Sequence, residues 1–311
     1  MKVTGVDGWG GPEVLREFEV PDPHAGPGEV RIAVRAAAVS PTDTLLRSGG
    51  RAEMLKDVPP PHVPGMDAAG VIDEVGDGVD RLAVGDEVMT ILLPRRTNGG
   101  YAQYVVVPAA SVVSRPAGST LAEASTIPMN GLTAQLALDL LALPEGATLG
   151  VTGAAGAFGG YVVELAKVRG LRVLADASEA DEELVRSLGA DVVVRRGDDV
   201  ADRFLLECPG GVDAIADGSL QAPLLLHAIR DGGAIATVRG WEGPTERGIV
   251  AHPVWVRDYV ENTASLDELR RLVEDGRVTT RVAAEIPAER ASEAHAALEA
   301  GGTRGRFVLT R

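Results

Sequence analysis

Cys208 is the only cysteine in this 311-residue chain. One thiol excludes an internal disulfide and any zinc site built from cysteines. Long apolar runs are missing as well, none approaching the roughly 20 residues of a membrane-spanning helix, and the opening MKVTGVDGWGG lacks the pattern of a signal peptide. Basic residues are in deficit, 30 Lys and Arg against 45 Asp and Glu, for a net charge of −15. Nucleic acid and anionic membrane surfaces would be repelled over a Debye length, so neither is an expected partner. There is no long internal repeat or low-complexity tract. What is present, 45% hydrophobic and 24% charged residues, is an ordinary soluble composition, and a cytoplasmic location is the expectation. The length exceeds the usual single domain, so two domains are expected.

The stretch from Ala147 to Asp176, ATLGVTGAAGAFGGYVVELAKVRGLRVLAD, organises the chain. A short apolar run from Leu149 to Thr152 meets a glycine-rich turn, a periodic segment follows from Tyr161 to Val168, and a second apolar run spans Leu171 to Ala175. The order is strand, glycine turn, helix, strand. Glycines are needed there for the tight reversal, for the approach of a pyrophosphate to the main chain and for close packing of helix on strand. Free amide groups at the helix start then face the phosphates. The candidate cradle is Gly153, Ala154, Ala155, Gly156, Ala157, Phe158 and Gly159, with Ala154 in the first glycine position of the GxGxxG fingerprint. Asp176 closes the second strand, where a carboxylate suits ribose hydroxyls. The alternative is a tight strand-to-helix turn that holds no ligand.

Along the chain, the amino-terminal third reads mostly as β: a strand from Val30 to Val39, a proline loop at Pro59, Pro60, Pro61 and Pro64, then strands at Asp67–Val75, Val84–Ile91 and Gly99–Val107. Helices are scarce before residue 46. From Thr120 the texture turns helical, with a Thr120 to Glu123 capping box. After Asp176 helix and strand alternate (helix from Glu179 to Leu188, strands at Val192–Val194 and Val212–Ala216, helix from Ala222 to Ile229, strand at Ala234–Val238), which predicts a doubly wound parallel sheet. Ligands of such sheets sit beyond the carboxyl ends of the strands, so Asp217, Gly218, Arg239 and Gly240 belong near the glycine turn or are ordinary turn residues. A strand at Ile249–Val256 and a helix at Leu266–Glu274 precede a tail ending in GRFVLTR.

Seven stretches in order (GGPEVL at Gly10–Leu15, SPTDTLLRSG at Ser40–Gly49, VPGMDAAGVIDEVG at Val63–Gly76, GDEV at Gly85–Val88, GGYAQY at Gly99–Tyr104, GLTA at Gly131–Ala134 and GAAGAFG at Gly153–Gly159) resemble the medium-chain dehydrogenase/reductase superfamily, and within it the zinc-independent quinone oxidoreductase (zeta-crystallin-like) branch. The resemblance implies an α/β protein with a GroES-like, mostly β catalytic domain at 1–118 and 263–311, and a Rossmann doubly wound cofactor domain at 119–262, with substrate in the cleft and a homodimer as the assembly. Zinc-dependent relatives would need a cysteine near Ser40, a His-Glu pair where this chain has Met66 and Asp67, and a four-cysteine lobe near residues 90 to 100. A thioether and one carboxylate do not make a Zn²⁺ site, so no zinc is expected. His62 reads as a loop residue.

The same resemblance puts Ser40, Thr42 and Asp43 along one edge of the cleft and Thr133 close to the nicotinamide. Family members often carry asparagine at the Ser40 position and a tyrosine near Arg51. Asp43 is read either as an acid or as a residue fixing the loop and capping a helical turn, and Arg47 either lines the cleft or pairs with an acid. Tyr101 either donates to a substrate carbonyl or is a buried tyrosine with a satisfied hydroxyl. The cofactor is NAD(P)H: Asp176 and the four acids of the Ser178–Glu183 loop favour NADH, while the resemblance favours NADPH, with Arg186, Arg195 or Arg196 meeting a phosphate. Three functions follow. They are hydride transfer to a quinone, enone or related activated carbonyl of small-molecule size; the same chemistry as a tailoring step on a specialised metabolite; and non-catalytic binding of a nicotinamide cofactor.

Overall fold

Val30, Ile32 and Val34 alternate with less buried neighbours, the period-2 pattern of a strand with one face in a core. In the computed structural model, which describes residues 1–311, this strand runs through the middle of the larger sheet. Before it, β1 (Lys2–Gly5) and β2 (Arg16–Glu19) form a two-stranded antiparallel ribbon. The strand itself is β3 (Glu29–Ala38), followed by α1 (Pro41–Ser48), α2 (Ala52–Leu55), β4 (Asp67–Val75), β5 (Glu87–Ile91), β6 (Tyr104–Pro108), β7 (Val112–Ser114) and α3 (Leu121–Ser125).

The parallel part begins after α4 (Pro128–Leu141), with β8 (Thr148–Thr152), α5 (Ala157–Val168), β9 (Arg172–Ala177), α6 (Glu182–Ser187), β10 (Val192–Arg195), α7 (Val200–Glu207), β11 (Val212–Asp217), α8 (Ala222–Leu225), β12 (Ile229–Thr237) and β13 (Val250–Pro253). The chain closes with α9 (Thr263–Glu274), β14 (Val282–Pro287), α10 (Ala291–Glu299) and β15 (Arg306–Thr310).

Two compact units result, Met1–Met129 with Val260–Glu274 and Thr280–Arg311, and Asn130–Tyr259 with Asp275–Thr279. The first is the GroES-like unit. Its seven-stranded sheet has the order β14-β15-β3-β4-β5-β7, with β6 also paired to β3, so the carboxyl-terminal strand lies between β14 and β3. The second is the Rossmann unit, whose six parallel strands run β10-β9-β8-β11-β12-β13. Its order reverses beside β8, where β9 and β11 flank the strand that enters the glycine turn. Phe204, Ile215, Leu225 and Ile235 are central to one core of this unit, and Val30, Ile32, Tyr101, Ala294 and Leu309 to the core of the other.

Several elements differ from the sequence expectation. The strand expected from Gly99 begins at Tyr104, because Gly99 and Gly100 lie flat against other backbone: Gly100 N–H donates to Gly65 O at 2.9 Å, and a Cβ on Gly99 would fall 2.2 Å from Val63 O. An eight-residue helix, α1, stands where helices were expected to be scarce. A further helix, α7, carries Phe204 into the core, and α8 ends at Leu225 rather than at Ile229.

Candidate functional site

In the Rossmann unit, β8 delivers the chain into a turn at Gly153 in the left-handed region, φ +67°, which a side chain would strain. Gly159 on the first turn of α5 touches this turn directly, since a Cβ there would lie 2.4 Å from Gly153 O. Gly156 is different: its added Cβ would meet only Gly153 O, at 3.1 Å, so the space in front of it is open. The Gly156 Cα therefore faces open space at the start of a twelve-residue helix, where the unpaired N–H groups of a first helical turn suit a pyrophosphate. The residues present fit a nicotinamide dinucleotide. Ala154 is buried, whereas Ala155, Gly156, Ala157 and Phe158 are partly exposed.

Of the other residues assigned to the cofactor from sequence, Asp176, Ser178 and Asp217 make hydrogen bonds within the Rossmann unit. Asp176 is engaged with the glycine turn. Its Oδ1 accepts from Ala154 N–H at 3.1 Å, and the residue is 5% exposed. Burial pushes its pKa up, opposed by the turn amides of Ala154 and Gly153 and by the charge of Arg196. Asp217 Oδ1 accepts from Thr152 Oγ1 at 2.7 Å and from Ser219 N–H at 2.9 Å, tying the ends of β8 and β11 together. The Ser178 hydroxyl donates to Asp181. Arg239 and Gly240 follow β12, both with positive φ, 66° and 81°, and Gly240 lies under the Trp255 ring. Thr133 is buried on α4.

In the GroES-like unit the sequence candidates converge on two buried networks. The first centres on Asp43, in the first turn of α1. Its Oδ2 accepts from Ser40 N–H at 2.8 Å and Oδ1 from Gly65 N–H at 2.9 Å, so the carboxylate caps the helix and pins the proline loop. Tyr101 Oη donates to Asp43 Oδ2 at 3.3 Å and contacts His295 Nε2 at 3.0 Å. Tyr101 is 0% exposed; of its two sequence readings the structure matches the satisfied buried tyrosine, and direct donation to a substrate carbonyl is set aside. Burial raises the Asp43 pKa to about 6, against the pull of its amide donors. Burial, with help from the Asp43 charge, also raises Tyr101 well above its ordinary value, and burial with the nearby Arg47 charge lowers His295 to about 3.

The second network centres on Arg306, at the start of β15. Its Nη2 donates to Asp67 Oδ2 at 2.7 Å and to Ser40 Oγ at 2.5 Å, and Nη1 to Thr126 O at 3.1 Å. Asp67 Oδ1 accepts from Met129 N–H at 2.6 Å. Ser40, expected as a donor along a cleft, is fully buried, and its oxygen accepts from Arg306. Thr42 is partly exposed as a residue, but its Oγ1 is buried and has no hydrogen-bond partner. Arg47 is buried and pairs with Glu299, one of its two sequence alternatives. His62 is buried as well, stacked on Trp9 with ring centroids 5.0 Å apart.

Sequence reasoning missed His295 and Arg306. Both are 180 or more residues from the partners named above, and no local pattern announces them; the one signal was the GRFVLTR tail, whose arginine sits in an apolar strand. No group of three or more His, Cys, Asp or Glu side chains is arranged to hold a metal ion, and no helix is long and apolar enough to cross a membrane.

Comparison with known proteins agrees with this architecture. The alcohol dehydrogenase GroES-like domain family matches residues 26–117, and a family described as zinc-binding dehydrogenase matches residues 188–309. The chain is 30% identical to a chloroplastic NADPH-dependent alkenal/one oxidoreductase of Arabidopsis thaliana, over 99% of this chain and 79% of that one. Among solved structures, an NAD-dependent alcohol dehydrogenase superposes with TM-score 0.87 at 30% identity, covering 100% of both chains. The quinone oxidoreductase from Coxiella burnetii superposes with TM-score 0.88 at 27% identity, covering 100% of this chain and 99% of that one. With its GroES-like unit, its Rossmann unit and the glycine turn between β8 and α5, the chain belongs to the medium-chain dehydrogenase/reductase superfamily, in the company of its quinone and alkenal/one oxidoreductases.

Proposed function

We propose that this protein is a zinc-independent NAD(P)H-dependent reductase acting on a quinone, a conjugated enone or a related activated carbonyl of small-molecule size. The observation that carries the reading is the buried guanidinium of Arg306, held between Asp67 Oδ2 and Ser40 Oγ. Asp67 and Ser40 stand where zinc-dependent relatives would place metal ligands, and here their oxygens are taken by a fixed cation. With Met66 as a neighbouring thioether, this donor set does not suit Zn²⁺. A carbonyl conjugated to a double bond or a quinone ring is already electrophilic and needs no metal to polarise it.

Bound nicotinamide supplies the hydride. The chain's residues have two tasks, to hold the dinucleotide and to stabilise negative charge on the substrate oxygen. Gly153, Gly156 and Gly159 with the start of α5 serve the first. Thr42 serves the second: its hydroxyl is unpartnered and sits in the first turn of α1, whose amide groups also favour negative charge. Asp43, Tyr101 and His295 position that turn and do not touch the substrate. The proton that completes the reduction comes from solvent.

The test is a steady-state panel of quinones, enones and simple aldehydes with each nicotinamide, before and after prolonged chelation. Enone or quinone turnover that survives chelation is the expected result, with Thr42→Val slower by about tenfold. Chelator-sensitive turnover, or simple aldehydes reduced as fast as the best enone, would refute the reading.

A further inference from the structure

Acids outnumber bases by 15 in this chain, yet the carboxyl end of the parallel sheet presents a pair of guanidinium groups to solvent. Arg239 and Gly240 leave β12 in the left-handed region, at φ +66° and +81°. Glycine adopts that conformation freely, whereas at Arg239 a side chain is kept there at a conformational cost. Thr237 Oγ1 donates to Trp241 O at 2.7 Å and closes the turn, and Val254 N–H donates to Thr237 O at 2.9 Å. The exits of β12 and β13 are therefore fixed side by side.

Trp255 joins the two exits. Its ring edge lies against Gly240, where a Cβ would fall 2.4 Å from Cζ2, and the Arg257 guanidinium lies over the ring, 4.9 Å from its centroid. Stacking of this kind holds a guanidinium in place and leaves its N–H edge free to donate. Arg239 is exposed and forms no hydrogen bond or ion pair. Arg257, also exposed, pairs only with its chain neighbour Asp258, Nε to Oδ1 3.7 Å, beyond hydrogen-bond distance.

We propose that Arg239 and Arg257, the latter held by Trp255, bind an anionic group of the substrate, a carboxylate or a phosphate ester on the same molecule as the activated double bond. The planar forks suit either anion. In a sheet of order β10-β9-β8-β11-β12-β13 the adenosine half of a dinucleotide belongs to β8, β9 and β10 and its pyrophosphate to the glycine turn, which leaves the β11 to β13 half to the nicotinamide. A reduced nicotinamide ring carries no charge, so an anion at the exits of β12 and β13 comes with the substrate. The assignment rests on the reductase reading and adds the substrate's charge to it.

Paired probes test it through kcat/KM of the full chain at saturating cofactor: 4-oxopent-2-enoate against its methyl ester for the carboxylate, and crotonyl-phosphopantetheine against crotonyl-pantetheine for the phosphate. Arg239→Gln and Arg257→Gln are each expected to lower the charged-to-neutral ratio of one pair about fivefold, through KM, and the pair that responds names the anion. Added salt should lower the same ratio in the wild type. Arg230→Gln, at the amino end of β12 and paired with Asp213 in the wild type, should leave both ratios unchanged. Ratios unchanged in either Arg239→Gln or Arg257→Gln, or lowered as much by Arg230→Gln, overturn the assignment alone. So does a wild type that reduces neutral quinones but neither charged probe, and so does a loss of dinucleotide affinity in Arg239→Gln by calorimetry, which would give that arginine to the cofactor. A wild type inactive on every quinone and enone overturns the reductase reading, and the assignment with it.

Discussion

At the scale of single residues, the GroES-like unit is governed by what its buried polar atoms bond to. Asp43 receives three donors, Ser40 N–H, Gly65 N–H and Tyr101 Oη. Asp43→Ala leaves the two amides buried and unpaired and Tyr101 Oη with His295 alone, and the expected loss is about 3 kcal/mol in urea unfolding; a change below about 1 kcal/mol would show that the network relaxes around the gap. His295 gives a pH signature of known sign. Its pKa is lowered from 6.5 to about 3 in the folded chain, so between those values the unfolded chain takes up the proton and the native one does not. Its contribution is full at neutral pH and is lost as pH falls. From about pH 7 to about pH 5, the wild type should lose about 2 kcal/mol more than His295→Gln. Parallel stability curves for the two proteins would contradict this. Residues were where the sequence was least legible. Asp43 and Tyr101 sit inside recognisable motifs, yet the partners that decide what they do, His295 and Arg306, come from α10 and β15, and chain folding rather than spacing brings them together. Asp176, read from sequence as a ribose acceptor, is a similar case: a carboxylate at a strand end has more than one donor in reach, and its Oδ1 accepts from Ala154 N–H.

At the scale of elements, legibility was far better, because hydrophobic period and glycine chemistry are local. β4 was placed at its observed bounds, Asp67–Val75, and the β8–α5–β9 unit was found from its glycines. The misses were short helices: α1 falls inside a motif read for its polar residues, and α7 lies in a segment too charged to show its buried face of Val200, Ala201 and Phe204. The turn between β8 and α5 is the element to which the proposed function assigns cofactor binding. Gly159→Val would force a branched side chain into the 2.4 Å gap to Gly153 O and push α5 off the turn. Nucleotide binding followed by fluorescence should disappear and the melting temperature should fall by several degrees, at about 2 kcal/mol or more. Unaltered affinity in a folded Gly159→Val protein would mean that the dinucleotide lies elsewhere.

At the scale of the whole molecule, one unit is nearly continuous in sequence and the other is assembled from three segments, Met1–Met129, Val260–Glu274 and Thr280–Arg311. The sequence reading, from the family resemblance, expected the chain to return to the first unit in one piece, 263–311. The reason for the return in the structure is β15, which pairs with β3 on one side and β14 on the other and brings Arg306 to Asp67. A chain ending at Thr303 would lack both the strand and the cation, leaving the edge of β3 unpaired there and the Asp67 carboxylate buried without its counter-charge. The expected outcome is a protein in which the Rossmann unit still resists proteolysis while the GroES-like unit is digested; equal resistance of both units would show that β15 is dispensable.

The position of Arg306 near the end of the chain also orders events in time. During synthesis the amino-terminal residues emerge first, but the carboxylate at Asp67 and the hydroxyl at Ser40 wait for a guanidinium made more than 230 residues later. Until then the first unit is an incomplete sheet with a buried acid lacking its partner, while nearly all of the second has already been made. The cofactor-holding half of the molecule is thus competent to fold first, and the half that carries Thr42 is completed last, when the final strand seats its arginine.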